Sequence, residues 1–228
     1  MRQMALDIGL APEPTLSGFL PGANAAAVQH LRLWAGGSTR SPVPTYLWGP
    51  PGSGKSHLLR AARHALGGQG AVVGWLDADS PPRLPFEEAW DAVLMDDVHR
   101  YGAELQHTAF NWFVNAVTPL SGRPRAVLAA GSLPPADLPL REDLRTRLAW
   151  GHVFELHPLP EPELRAALRQ AADARGVFLS DEVMDFVLRR FSRDLGSLMQ
   201  LLDHLDRYAL QTQRAITIPL VRAMLENE

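Results

Sequence analysis

A chain of 228 residues, 46% of them hydrophobic, is long enough for a packed core, which excludes a disordered adaptor. It contains no cysteine, so disulfide scaffolds and cysteine-ligated zinc are excluded and a cytoplasmic location is expected. The net charge of −3 argues against a dedicated nucleic-acid binder. No apolar run approaches the roughly 20 residues of a membrane span, and the N-terminus lacks a signal-peptide pattern, so no membrane partner is expected.

The predicted elements begin after an extended arm, residues 1–25, which is broken by prolines and glycines and has no clear periodicity. A helix follows from Asn24, its predicted cap, to Trp34. Apolar, β-rich segments then predict buried strands that alternate with helices. The strands are expected at 45–48, 72–76, 92–95, 126–130 and 153–156, and the helices at 55–66 and 105–117. Such alternation predicts an α/β fold with a parallel sheet.

The helix at 105–117 is amphipathic, and its inward side chains are predicted to be Phe110, Phe113, Val114 and Val117. The pattern changes at the proline-rich stretch 157–162. Beyond it only helices are predicted, at 163–175, 181–191, 195–211 and 219–226. We therefore expect three parts: an N-terminal arm at 1–25, an α/β base at 26–157 and an all-helical lid at 158–228.

A phosphate-binding loop is predicted between the first strand and the next helix. The pattern G-x-x-x-x-G-K-[ST] is matched by Gly49, Pro50, Pro51, Gly52, Ser53, Gly54, Lys55 and Ser56. In this motif backbone N–H groups surround the phosphates, the lysine neutralises the β and γ oxygens, and the hydroxyl ligates Mg²⁺. Lys55 is the only lysine among 22 basic residues. Every other basic residue is an arginine, so the compact ammonium of a lysine at this position indicates a phosphate-binding site. The sequence therefore predicts bound ADP or ATP with Mg²⁺.

Two acids end the predicted strand at 92–95. Asp96 is expected to hold Mg²⁺ through water, and Asp97 to orient or deprotonate an attacking water. Strands also end in solvated aspartates, so it is the upstream phosphate loop that favours the functional interpretation. Ser132, just past the fourth strand, is a candidate contact between γ-phosphate and water, and an ordinary loop serine is an equal alternative.

Two arginines precede the last strand. Arg145 and Arg147 lie two apart on a predicted short helix and so face different sides, which allows one to pair internally and the other to point outward. Two solvated arginines are the alternative.

Taken together, these motifs resemble the DnaA branch of AAA+ proteins and, within it, the Hda family of DnaA regulatory inactivators. The resemblance covers essentially the whole chain and rests on the stretches 47–58, 95–97, 144–151 and 217–219. His57, inside the first stretch, is a predicted nucleotide contact. The chain ends after the lid, where DnaA would continue into a DNA-binding domain, and this favours the Hda family.

A second resemblance concerns the extreme N-terminus. The stretch Gln3-Met4-Ala5-Leu6-Asp7-Ile8 is similar to the peptide by which the Hda family docks on the bacterial sliding clamp, the beta subunit of DNA polymerase III. Gln3 would hydrogen-bond at the pocket rim while Met4, Leu6 and Ile8 contact an apolar groove. An edge strand or a frayed tail is the alternative.

The resemblance implies a negative regulator of replication initiation that reaches DNA only through the clamp. By position Arg147 matches the family's arginine finger, which triggers hydrolysis of ATP bound to DnaA. Two departures argue against strong intrinsic ATPase activity. Gly196 stands where the second-sensor arginine is expected, so Arg193 would have to reach the nucleotide instead. Ser132 stands at the first-sensor position in place of an acidic or amide side chain.

Other interpretations remain open from the sequence. An oligomeric AAA+ ATPase or loader would act on its own nucleotide. It needs a DNA-contacting insertion between strands or an appended module, and the short segment 98–104 offers neither. A small-molecule kinase would carry its lid within the sheet rather than at the C-terminus. The sequence also leaves open whether the free protein is a monomer or a homodimer.

Overall fold

The computed structural model describes residues 13–37, 41–119, 122–191 and 195–226. In these ranges the strands β1 (Thr45–Trp48), β2 (Val73–Leu76), β3 (Ala92–Met95), β4 (Ala126–Gly131) and β5 (His152–Glu155) form one sheet. All neighbours pair in parallel, in the order β2–β3–β4–β1–β5. The predicted α/β class with a five-stranded parallel sheet is confirmed.

Helices cover both faces of this sheet. The helices α1 (Ala25–Gly36) and α2 (Lys55–Gly67) pack on one face, and α3 (Ala103–Val117) and α4 (Glu142–Ala149) pack on the other. Alternate strand residues serve the two faces, so that Leu47 joins the first core while Tyr46 joins the second. Because both faces are covered, the inner strands are continuous apolar runs rather than alternating ones.

The C-terminal helices have a separate hydrophobic core. They are α5 (Glu161–Ala174), α6 (Asp181–Arg190), α7 (Leu195–Thr212) and α8 (Ile218–Glu226). The Ser180 hydroxyl caps α6 by accepting from the N–H of Val183. No described helix is both long enough and apolar enough to cross a membrane.

The inward face of α3 differs from the predicted one. Phe113 is buried as predicted, but Phe110, Val114 and Val117 are only partly buried. The buried face consists of Leu105, Thr108, Ala109, Trp112, Phe113 and Ala116. The helix is rotated about its axis relative to the predicted orientation. The indole of Trp112 is turned inward and donates to the carbonyl of Leu84 at 3.0 Å, and the small alanines allow close approach to the sheet.

The predicted cap of α1 is also wrong. Asn24 stands at the N-cap position but makes no side-chain cap hydrogen bond. Its amide is hydrogen-bonded to the backbone of His157, in the connector to the C-terminal helices. The residues before it, Gly22–Asn24, form a short 3-10 helix instead of the predicted extended arm.

Candidate nucleotide-binding site

The predicted phosphate loop connects β1 to α2, at the carboxyl edge of the sheet. Gly54 has a φ of +91°, and a Cβ added there would lie 2.5 Å from the ring of Phe19. A Cβ at Gly49 would lie 2.2 Å from the carbonyl oxygen of Leu156. Both positions therefore require glycine, one for its backbone conformation and both for close approach.

Lys55 lies at the start of α2 with its ammonium inside the loop. Its Nζ donates to the carbonyls of Gly49 and Pro50 at 2.8 and 2.9 Å. Burial lowers the pKa of Lys55, while the nearby carboxylates of Asp97 and Asp96 oppose that shift. The cation is thus held inside the loop, near the two acids that follow β3. An ammonium enclosed by a glycine-rich loop suits a phosphate group.

Asp96 and Ser56 come together as the sequence predicts. Burial raises the pKa of Asp96, and a hydrogen bond from the Ser56 side chain opposes this rise. A hydroxyl and a carboxylate are oxygen ligands of the kind that Mg²⁺ prefers, and Mg²⁺ usually completes its shell with phosphates and water. The described residues contain no group of three or more His, Asp or Glu side chains that could hold a metal by themselves. The donor set therefore fits a magnesium ion that arrives with a nucleotide.

Asp97 has a left-handed backbone conformation, with φ of +51°, and it begins the short 3-10 helix Val98–Arg100. Its carboxylate lies 3.4 Å from the guanidinium of Arg100, and its N–H donates to Asp96 at 2.9 Å. The charge of Asp97 acts on Lys55, so Asp97 lies near the phosphate loop, and its carboxylate is also paired with the exposed Arg100. Its predicted role in orienting water stays a prediction.

His99 is part of the site although the sequence analysis did not identify it. The N–H of Ser132 donates to its Nδ1 at 3.2 Å, which joins the segment after β3 to the segment after β4. Burial lowers the pKa of His99, and the charges of Asp97 and Lys55 act on it in opposite directions. A neutral ring is the form that can accept from Ser132. Its place three residues after Asp96 was the available signal.

Residues before α1 cover the start of α2. The ring of Phe19 lies 5.5 Å from that of His57, and the backbone of Thr15 is hydrogen-bonded to His57. Burial lowers the pKa of His57, whose buried Nε2 has no hydrogen-bond partner among the described residues. A buried polar atom of this kind normally has a hydrogen-bond partner. The nucleotide contact predicted for His57 stays a prediction. Phe19 was missed because the arm has no periodicity.

The two arginines of α4 lie away from this loop. The guanidinium of Arg147 is 5.2 Å from the ring centre of Phe110 and 6.0 Å from that of Phe113. In the part of the chain that the structure describes, neither Arg145 nor Arg147 forms an ion pair, so no internal partner for Arg145 is found. Trp150, which follows α4, is 64% exposed. Arg147 and Trp150 line the same open surface depression.

Several predicted site residues cannot be placed. The clamp-binding residues Gln3, Met4, Leu6 and Ile8 lie outside the described residues, and so does Arg193. Gly196 is described, and it is exposed in the first turn of α7.

Comparisons with known proteins agree with the fold and with the C-terminal helices. Residues 161–225 match the family model described as Hda, lid domain. Domain III of DnaA from Thermotoga maritima is 20% identical, with a TM-score of 0.74, over 96% of this chain and 98% of that domain. DnaA from Aquifex aeolicus bound to AMPPCP is 21% identical, with a TM-score of 0.65, over 89% of this chain and 68% of that one. The RuvB Holliday junction branch migration motor from Thermotoga maritima is 17% identical, with a TM-score of 0.63, over 93% and 71%.

The family-model match concerns the C-terminal helices, and the structural matches show that the chain has the fold of DnaA domain III. The predicted resemblance is confirmed for residues 161–225, which match the Hda lid model, and for the fold.

Proposed function

We propose that this DnaA-related AAA+ protein is a negative regulator of chromosomal replication initiation in the cytoplasm. It binds ADP or ATP with Mg²⁺ at Gly49–Ser56 and docks on the sliding clamp through its N-terminal arm. Arg147 then stimulates hydrolysis of the ATP that DnaA holds. In this proposal residues 1–25 are the docking arm, 26–157 the nucleotide-binding base and 158–228 the lid.

Nucleotide binding is supported by the convergence of two chain segments, the phosphate loop and the segment after β3, on one edge of the sheet. The buried ammonium of Lys55 would neutralise β and γ oxygens, and the adjacent Ser56 and Asp96 would hold Mg²⁺, which supplies charge neutralisation at the phosphates. The lid carries Arg193, which is proposed to contact the nucleotide. A relative whose structure is described as bound to AMPPCP has the same fold.

The observation that carries the regulatory role is the separation of Arg147 from its own phosphate loop. Arg147 belongs to α4 and contacts α3, whereas the phosphate loop leads into α2 on the opposite face of the sheet. A guanidinium placed in this way is available to a nucleotide in a neighbouring subunit. An arginine supplied in trans raises the hydrolysis rate by roughly 10³ to 10⁵ because its planar fork meets two γ-phosphate oxygens.

Three other residues argue for weak hydrolysis of the protein's own nucleotide. Asp97 shares its carboxylate with Arg100, Ser132 stands at the first-sensor position, and Gly196 has no side chain to touch phosphate. We therefore propose an ATPase activator rather than a self-sufficient ATPase.

The test is phosphate release from ATP-bound DnaA, measured with this protein, the sliding clamp and DNA, and with each component left out in turn. Stimulation is expected only when all are present. Arg147→Ala should retain ADP binding and clamp binding but lose stimulation by roughly 10³-fold or more. Arg145→Ala, on the same helix, is the matched control and should retain most of the stimulation.

Three results would contradict the proposal. Full stimulation by Arg147→Ala would exclude it as the finger, and a larger loss with Arg145→Ala would reassign that role. Rapid phosphate release by the protein alone would favour the alternative, an oligomeric AAA+ ATPase or loader acting on its own nucleotide.

A further inference from the structure

The connector between β5 and α5 passes close to the phosphate loop. The N–H of Leu156 donates to the carbonyl of Trp48, the residue before the loop, at 2.6 Å. The carbonyl oxygen of Leu156 lies so near to Gly49 that no side chain fits between them. Any displacement of this connector is therefore transmitted to the first residue of the loop.

One buried side chain holds the connector at the next residue. The Nδ2 of Asn24 donates to the carbonyl of His157 at 2.8 Å, and its Oδ1 accepts from the N–H of His157, also at 2.8 Å. Asn24 is only 4% exposed, and the two residues are 133 positions apart. One amide thus satisfies both backbone groups of a single residue, as a neighbouring strand would.

The turn that carries Asn24 also touches the first residues of the lid. A Cβ added at Gly22 would lie 3.0 Å from the Glu163 carboxylate and 3.1 Å from the Leu159 side chain. Glu163 is in the first turn of α5. The short 3-10 helix Gly22–Asn24 therefore leads directly into α1 and contacts the first residues of the lid.

We propose that Asn24 is a positioning residue for nucleotide binding, which fixes the direction in which the lid leaves the base. The inference rests on the proposed nucleotide site at Gly49–Ser56. The requirement is specific to an amide, because the side chain must offer one donor and one acceptor at the same end. A carboxylate would still accept from the N–H of His157, but it would repel the carbonyl.

The absence of cysteine allows a direct measurement of lid position. Val72 in the base and Phe178 in the lid are both exposed, so Val72→Cys and Phe178→Cys provide two spin-label sites. Asn24→Ala should broaden the distance distribution between the labels and weaken ADP binding by at least about tenfold. Asn115→Ala is the matched control and should change neither quantity. Among the described residues, the Asn115 amide bonds only the Asn111 carbonyl in its own helix.

Asn24→Asp separates the hydrogen-bond pattern from mere packing. Protonation of the introduced carboxyl restores a donor beside the acceptor. The ratio of ADP dissociation constants, Asn24→Asp over wild type at the same pH, should therefore fall towards one as the pH is lowered. A ratio near one at every pH would mean that side-chain shape alone matters, because Asn and Asp have the same shape.

An unchanged distance distribution in Asn24→Ala, with ADP affinity within twofold of wild type, would overturn the proposal. So would a pH-independent ratio for Asn24→Asp. If the wild-type protein bound no ADP, the proposed function would fail, and the distance distributions would still decide whether Asn24 positions the lid.

Discussion

Replacing Lys55 by alanine tests the nucleotide site most directly. The side chain is 7% exposed, and its ammonium donates to the carbonyls of Gly49 and Pro50. In a bound complex it would make charge-assisted contacts to the β- and γ-phosphates. Each is worth about 1.5–3 kcal/mol, so losing two costs about 3–6 kcal/mol. At about 1.4 kcal/mol per tenfold, ATP affinity should fall roughly 10² to 10⁴-fold.

The same change should have little effect on the fold. Two hydrogen bonds to backbone carbonyls are lost, each worth about 0.5–1.5 kcal/mol net. The cost of burying an ammonium disappears with them, and alanine is the best helix former at this α2 position. The unfolding temperature without nucleotide should therefore change by only a few degrees.

Calorimetry and thermal unfolding measure the two effects separately. A nucleotide present at 100 times its Kd stabilises the wild-type protein by about 2.7 kcal/mol, and for a chain of this size that raises Tm by about 5–11 °C. At the same nucleotide concentration Lys55→Ala should show a rise of about 1–2 °C or less.

Arg60→Ala is the matched control, because it removes an exposed cation from the same helix. It should retain most of the Tm increase that nucleotide gives the wild-type protein. Unchanged nucleotide affinity in Lys55→Ala would refute the assignment of Gly49–Ser56 as the phosphate site.

Three further outcomes are expected. Deletion of residues 1–8, or Gln3→Ala alone, should abolish retention on immobilised sliding clamp and leave the circular dichroism spectrum unchanged. Clamp retention by both variants would exclude the N-terminal peptide as the clamp-binding segment. Gly196→Arg should tighten ADP binding if a second-sensor side chain is missing. Arg193→Ala should weaken ADP binding if Arg193 already acts as the second sensor. If calorimetry shows no effect of either substitution, the lid does not sense nucleotide. The free energy of unfolding should fall as the pH drops below about 6.5. Burial and the charge of His152 lower the pKa of His30 in the folded protein, so the unfolded chain binds more protons in this pH range. Denaturant unfolding of His30→Gln should show a shallower acid loss, and an identical pH profile would contradict this cause.

Much of the candidate site could be predicted from sequence because its parts are contiguous. The phosphate loop is eight consecutive residues between a strand and a helix, and its glycines and single lysine carry the chemistry in local order. Two of the strands, Thr45–Trp48 and Ala92–Met95, have the predicted bounds, since short apolar runs between turn residues constrain a buried parallel strand tightly. Asp96 follows from the end of such a strand.

The remaining contacts were decided by tertiary structure. His99 meets Ser132, Phe19 covers His57, and Asn24 meets His157, each across dozens of residues or more. Local pattern reports which face of an element is apolar, but it does not report which distant backbone group a polar side chain will find. Asn24 shows the difference most clearly. Its sequence context predicts a helix cap, yet the connector to the lid offers its amide both a donor and an acceptor in a buried position. There, leaving those backbone groups unpaired would cost more than leaving the helix uncapped.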